Sequence, residues 1–211
     1  MARQISTYHR DVAAGNRAAI LDAAAGLFLE NGYDRTSLAR VASAANVSTA
    51  TLFKQFPTKA ALFEATVLAA GGASGSSVVD PPVGDLVDGL RSLGREYADL
   101  LIRPRMIGLM RTVIAESPRF PELRERTFDF GTLPVLAALG RYLRAEHAAG
   151  TADIADPDLA SAQFLGMIAS AVFWPRLMHG TWTMTEDERL RAVDEAARTI
   201  AARHSPPTAA A

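Results

Sequence analysis

Residues Thr36–Phe56 read TSLARVASAANVSTATLFKQF, and this stretch decides the fold. Ser37, or Thr36, can cap a helix, because a side-chain hydroxyl at that place accepts from an otherwise unpaired amide. Leu38, Val41, Ala42 and Ala45 then recur at helical spacing on one face. Asn46 follows, and asparagine tolerates the left-handed conformation that a tight corner needs. Val47 plugs the corner, and Ser48 can cap a second helix. In that helix Leu52 and Phe56 point inward, while Thr49, Ala50, Thr51, Lys54 and Gln55 leave a short, narrow, polar face. The pattern predicts helix, turn, helix.

Two readings fit such a pair. One is a DNA-binding helix-turn-helix, whose second helix enters the major groove and whose small or polar first residues let its backbone approach the base edges. The other is an ordinary helical hairpin in an all-α core.

The flanks favour the first. Asn16–Phe63 reads NRAAILDAAAGLFLENGYDRTSLARVASAANVSTATLFKQFPTKAALF. Through ILDAAAGLF, NGYDRTS, VASAANVSTATLFKQF and TKAALF, in that order and spacing, it resembles the N-terminal domain of TetR-family transcriptional regulators. The resemblance implies a three-helix DNA-binding unit in which Thr49–Gln55 reads the groove. It makes Tyr33 a packing residue, and it marks Thr36, Ser37, Ser48, Thr49, Ala50, Thr51, Phe53, Lys54 and Lys59 as the DNA-facing set. Two positions depart from the family pattern. Asn46 replaces a usual glycine, a change the turn tolerates. Phe53 replaces a usual tyrosine whose hydroxyl often touches phosphate. A phenyl ring cannot make that bond, though it can stack on sugars or pack.

The bulk properties agree. The 211 residues suffice for one or two domains with a real core. Cysteine is absent, which rules out disulfides and thiolate metal sites and fits a reducing cytosol. Net charge is -1, so the chain has no global basic character. Its charge is uneven, however. Residues 1–60 carry Arg3, Arg10, Arg17, Arg35, Arg40, Lys54 and Lys59 against Asp11, Asp22, Glu30 and Asp34, and the remainder is net acidic. A basic head on an acidic body suits phosphate binding by the head. Lys54 and Lys59 are the only lysines. Such flexible point charges suit phosphates at a groove edge.

No targeting or membrane-spanning segment is expected. Val12–Leu29 has an apolar tilt broken by Arg17 and Asp22. Leu159–Trp174 is the longest apolar run, and it falls short of the roughly 20 residues a span requires. Residues 1–11 read as a frayed polar tail in which Arg3, His9 and Arg10 could reach a groove. Helix 1 is expected from Val12 to Asn31, with Ile20, Ala24, Leu27, Phe28 and Asn31 inward and Gly32 as its stop. Pro57 ends the second helix of the pair, and Thr58 caps the next, with Leu62, Phe63 and Val67 on its apolar face. Lys59 sits in its first turn, where free amides already favour an anion.

Gly71–Pro82, GGASGSSVVDPP, is the clearest break and reads as a hinge. It lacks the spacing of a nucleotide loop. Helices are then expected over Val83–Ile102 and Pro104–Glu116, over Pro121–Phe130 and Leu133–Ala149 as one long helix interrupted near Gly131 and Pro134, and over Asp156–His179 and Thr185–His204. Pro175 should kink or shorten the helix Asp156–His179. Thr185 with Glu188 forms a capping box at the start of the last. The fold class is therefore all-α, with about nine helices. A DNA-binding domain spans 1–60, a helical ligand-binding and dimerisation domain spans 61–205, and 206–211 is a tail.

A second resemblance covers about Val113–Ile168. IAESPRFPELRER, PVLAALGRYLRAEHAAG and DPDLASAQFLGMI are similar to the AefR-like C-terminal domain found in part of the TetR family. It implies an all-helical ligand-binding and dimerisation domain. The two-fold symmetry of a homodimer then leads us to expect a roughly palindromic operator of double-stranded DNA, with a small-molecule effector, no cofactor and a cytoplasmic location. For the effector pocket, Tyr97, Leu101, Met106, Met110, Phe128, Phe130, Phe164, Ile168 and Trp174 offer an adaptable apolar wall; each taken singly also fits plain core. Arg105 and Arg111 could hold an acidic ligand or sit in ion pairs. For the subunit face, Gln163, Gly166, Ala169, Ser170 and Phe173 share one side of their helix, with Leu190, Val193, Ala197 and Ile200 on the last.

Enzyme chemistry finds no constellation. His9, His147, His179 and His204 are scattered, and neither HExxH nor GxSxG occurs. The best reading is a regulator, in the first instance a repressor released by an apolar or amphipathic ligand. The alternative is a helical interaction protein whose DNA-binding domain no longer reads sequence.

Overall fold

The computed structural model describes residues 2–72, 80–123 and 134–205, with side chains described from Val12 onward. The described residues form ten helices and no strand. They are α1 (Ala2–Asn31), α2 (Leu38–Ala44), α3 (Thr49–Gln55), α4 (Lys59–Ala70), α5 (Leu86–Leu101), α6 (Pro104–Glu116), α7 (Pro134–Ala148), α8 (Pro157–Val172), α9 (Trp174–Met178) and α10 (Glu186–Arg203). The all-α reading holds. One boundary does not: α1 begins at Ala2, ten residues before the expected Val12. No proline or glycine lies between them to stop a helix growing back from the apolar stripe.

The chain divides into two compact units, one formed by Met1–Ala70 with Gly108–Asp129, the other by Gly71–Ile107 with Phe130–Ala211. The first unit thus takes in all of α4 and a later stretch of chain. Its core joins Ile20, Leu21, Ala24 and Phe28 of α1 with Val41 and Ala42 of α2, Leu52 of α3, and Leu62, Phe63 and Val67 of α4. Leu109, Val113 and Leu123 complete it. Phe28, Tyr33 and Phe63 meet at centroid distances of 4.9 to 5.9 Å, two of the three contacts edge-to-face. Such ring pairs add roughly 0.5–1.5 kcal/mol each beyond area burial. Gly108 lies where any side chain would strike Leu29, so the later stretch can approach α1 closely.

In the second unit α5 is the central rod. Leu86, Leu90, Leu93, Ala98 and Leu101 are buried along it. Two glycines admit its neighbours. The ring of Tyr142 on α7 occupies the space a side chain at Gly89 would need. At Gly94, an added carbon would lie 2.7 Å from Val193 and 2.9 Å from Phe164. Three of its helix starts are capped: Asp85 accepts from Asp88 N, Asp156 from Leu159 N, and Thr185 with Glu188 makes the expected capping box. Pro175 acts as expected, since α8 stops at Val172 and α9 restarts with Pro175 in its first turn.

Glu146 is the one fully buried acid of this unit among the described residues. Its carboxylate accepts from Gly84 N at 3.0 Å and pairs closely with the Thr151 hydroxyl. Earlier on the same helix, the exposed Arg141 grips Asp80 through two bonds of 3.0 and 2.6 Å. Both contacts tie residues 80–84 to α7. Burial pushes the Glu146 carboxyl up, but hydrogen bonds from Thr151, Tyr142 and Gly84 outweigh it and hold the group below the usual carboxylate value.

Candidate nucleic-acid interface

The helix pair is built as its residues dictate. Ser37 caps α2 by accepting from Arg40 N at 3.2 Å, and Ser48 caps α3 by accepting from Thr51 N at 3.1 Å. The Ser48 and Thr51 hydroxyls also lie 2.8 Å apart. Asn46 takes φ 54, the only positive value outside glycine among the described residues. Val47 N reaches back to Ala42 O at 3.0 Å and closes the corner. Leu52 and Phe56 sit in the core at 0% and 2% exposure. Thr49, Ala50, Phe53 and Lys54 are exposed together on the opposite side of α3. Residues four apart stack on one helix face, so the outward surface consists of Thr49 beside Phe53 and Ala50 beside Lys54.

Three of the expected DNA contacts look different in three dimensions. Thr36 is only 2% exposed, and its hydroxyl lies 2.8 Å from Gly32 O and 3.1 Å from Leu27 O. It joins α2 to α1 and offers no hydroxyl to a phosphate. Thr51 is half-buried and bound to Ser48. Lys59 turns back: its ammonium donates to Tyr33 O at 2.9 Å and Asp34 O at 3.1 Å, and lies 4.4 Å from the centre of the Tyr33 ring.

The turn that Lys59 grips is held from its amide side too. Glu116, at the end of α6, accepts from Tyr33 N at 2.6 Å and Asp34 N at 2.8 Å. Gly32, at φ 76, makes this possible, because any side chain there would meet the Glu116 carboxylate. Arg119 adds an ion pair to Asp34 at 3.2 Å. Glu116 was invisible to sequence reasoning, since it lies some eighty residues from its partners and no local pattern marks it.

Among the expected effector residues of the second unit, Leu101, Met106, Phe164 and Ile168 are buried and Tyr97 is half-buried. Burial pushes the Tyr97 phenol up to about 12. Met110 is buried and falls in the first unit, and Trp174 is 51% exposed beside Phe173. Phe128 and Phe130 lie outside the described residues.

The expected subunit face divides. Gln163, Gly166 and Ser170 are exposed on α8. Val193, Ala197 and Ile200 are buried within their own chain, at 0–2% exposure, and have no surface left to give a partner. Phe173 is 8% exposed, and Ala169 and Leu190 are half-buried. The open stripe continues instead from Leu159 through Gln163, Gly166 and Ser170 to Trp174 and Met178, the last 74% exposed.

Comparison with known proteins agrees with this geometry. Residues 20–66 match the model of the bacterial regulatory proteins of the tetR family, and 88–206 match that of the AefR-like transcriptional repressor C-terminal domain. The chain superposes on a TetR-family transcriptional regulator from Mesorhizobium loti MAFF303099 with TM-score 0.75 and 25% identity, covering 92% of this chain and 98% of that one. It superposes on the Flavonoid-responsive Regulator FrrA with TM-score 0.71 and 28% identity over the same shares. A 75-residue segment is 39% identical to the uncharacterized HTH-type transcriptional regulator YvkB of Bacillus subtilis (strain 168), spanning 36% of this chain and 39% of that protein. Capped helix pair, left-handed corner and exposed second helix define a helix-turn-helix regulator of transcription. The chain belongs to the TetR family and carries an AefR-like C-terminal domain.

Proposed function

We propose that this protein is a homodimeric repressor that reads a palindromic operator with α3 and leaves it when a small apolar or amphipathic molecule binds in the second unit. The observation that carries the reading is the outward face of α3. It is short and exposed and begins with the small residues Thr49 and Ala50, on a helix whose other side is anchored by Leu52 and Phe56. Such a helix can approach base edges in the major groove. Ser37, Thr49, Ala50, Phe53 and Lys54 are the contacts we assign to DNA.

The subunit face we assign is the open stripe along α8 and α9, where Gly166 and Ser170 permit close approach and Leu159, Trp174 and Met178 supply apolar area. A two-fold axis through it repeats the α3 surface, which is why the operator should be palindromic. Tyr97, Leu101, Met106, Phe164 and Ile168 form the group we assign to the effector. Release requires the effector to bind one arrangement of the protein more tightly than the DNA-bound one. The likeness to a flavonoid-responsive regulator makes flat, hydroxylated aromatics the first class to screen. The reading invokes no enzyme reaction, and cytoplasmic DNA is the expected partner.

The test is selection of bound duplexes from a random pool with purified protein. A palindromic consensus supports the reading and supplies the probe for effector screening by fluorescence anisotropy. No enrichment, from protein shown to be folded and dimeric, would overturn it.

A further inference from the structure

Phe53 is anomalous on its helix. Its neighbours Leu52 and Phe56 are at 0% and 2% exposure, but Phe53 is 48% exposed. It makes no ring or cation contact with any described residue, whereas Phe28, Tyr33, Phe56 and Phe63 all do. The ring therefore contributes little to the core of its own unit. It stands four residues after Thr49 and three after Ala50, which are also exposed. A threonine methyl, an alanine methyl and a phenyl ring thus form one small carbon surface on the side of α3 turned away from the core.

A phenyl ring neither donates nor accepts a hydrogen bond. Set against guanine N7 and O6 or a cytosine amino group, it would strip water from those atoms and return nothing. The major groove offers one group that it does match, the methyl on C5 of thymine. We propose that Phe53, with Thr49 and Ala50, forms a pocket edge for the C5 methyl of a pyrimidine, making Phe53 a specificity-determining residue in each half-site. This rests on the assignment of α3 to DNA above.

The experiment uses the full-length protein and its selected operator. Each thymine is replaced in turn by deoxyuridine, which removes the methyl and leaves every hydrogen-bonding edge intact. Affinity is measured for wild type, Phe53→Ala and Phe53→Leu. In wild type, one position per half-site should lose about fourfold on replacement, the equivalent of one buried methyl at about 0.8 kcal/mol. Phe53→Ala should bind thymine and uracil operators equally at that position, and Phe53→Leu should retain part of the preference. The proposal is overturned if wild type is indifferent to uracil at every position, or if Phe53→Ala keeps the full uracil penalty. Indifference to uracil removes the methyl reading alone. Failure to select any operator removes the DNA reading as well, so the two failures are distinct.

Discussion

Lys59 and Lys54 show how far two like residues can diverge when only five positions separate them. As a sequence, both read as phosphate contacts. In the fold, Lys54 is exposed on α3, while Lys59 spends two of its donors on the carbonyls of Tyr33 and Asp34 and lies over the Tyr33 ring. Lys54→Ala should lower the slope of log affinity against log salt by about one and leave thermal unfolding unchanged, as expected of one lost phosphate contact. Lys59→Ala should do the reverse. It should cost about 1–2 kcal/mol of stability, from charged hydrogen bonds and a cation–π contact, with no change in slope. A reduced slope for Lys59→Ala, in binding assays across a salt series, would return that residue to the phosphate set. Local signals such as Ser37, Ser48 and Asn46 were legible because their partners lie within five residues. Lys59 was not, because the carbonyls it engages belong to a turn far back in the chain that Glu116 closes. Thr36 was not, because the same local sequence suits a hydroxyl turned inward to Gly32 O and Leu27 O or outward to a phosphate.

The elements carry the same lesson in a different form. Periodicity identified the apolar faces of α8 and α10 but not what buries them. Val193, Ala197 and Ile200 form a regular stripe that suits a subunit contact as well as it suits α5, and only the fold shows Val193 against Gly94. At the corner between α2 and α3 the sequence was sufficient, and a prediction follows from it. Asn46→Ala places an ordinary side chain at φ 54 and should cost about 1 kcal/mol, whereas Asn46→Gly should be near neutral. Urea midpoints of the two variants compare these directly. A second prediction concerns α7. Glu146 lies below its ordinary pKa in the folded protein, so the stability it contributes is present above the unfolded carboxylate value of about 4.5 and fades as pH falls through the lower, folded value. Glu146→Gln should therefore destabilise the second unit by about 1–3 kcal/mol at neutral pH, and the difference from wild type should shrink in progressively more acidic buffer. A constant difference down to about pH 3 would mean that the charge is not what holds residues 80–84.

At the scale of the whole molecule, the proposed dimer would present two α3 helices at one spacing. Gly166 provides a test free of the usual ambiguity between folding and assembly. Apart from its own helix backbone, an added carbon at this position meets no described atom within 4 Å, and glycine inside a helix is less stable than most replacements by up to about 1 kcal/mol. Gly166→Arg should thus leave the isolated chain as stable as wild type or slightly more so. Across a two-fold axis through α8, however, the same substitution brings two long cations into one close contact and separates the helices on both sides at once. The variant should sediment as a monomer at concentrations where wild type is a dimer. It should also bind the full palindrome no better than a single half-site, because linkage of the two recognition helices is lost. Gly166→Ala, which adds one carbon and no charge, should be the milder member of the pair. If Gly166→Arg stays dimeric with wild-type affinity for the palindrome, then α8 is not the subunit face. The exposed apolar groups at Leu159, Trp174 and Met178 would then need a different partner, and the geometry linking effector to operator would have to run through another surface.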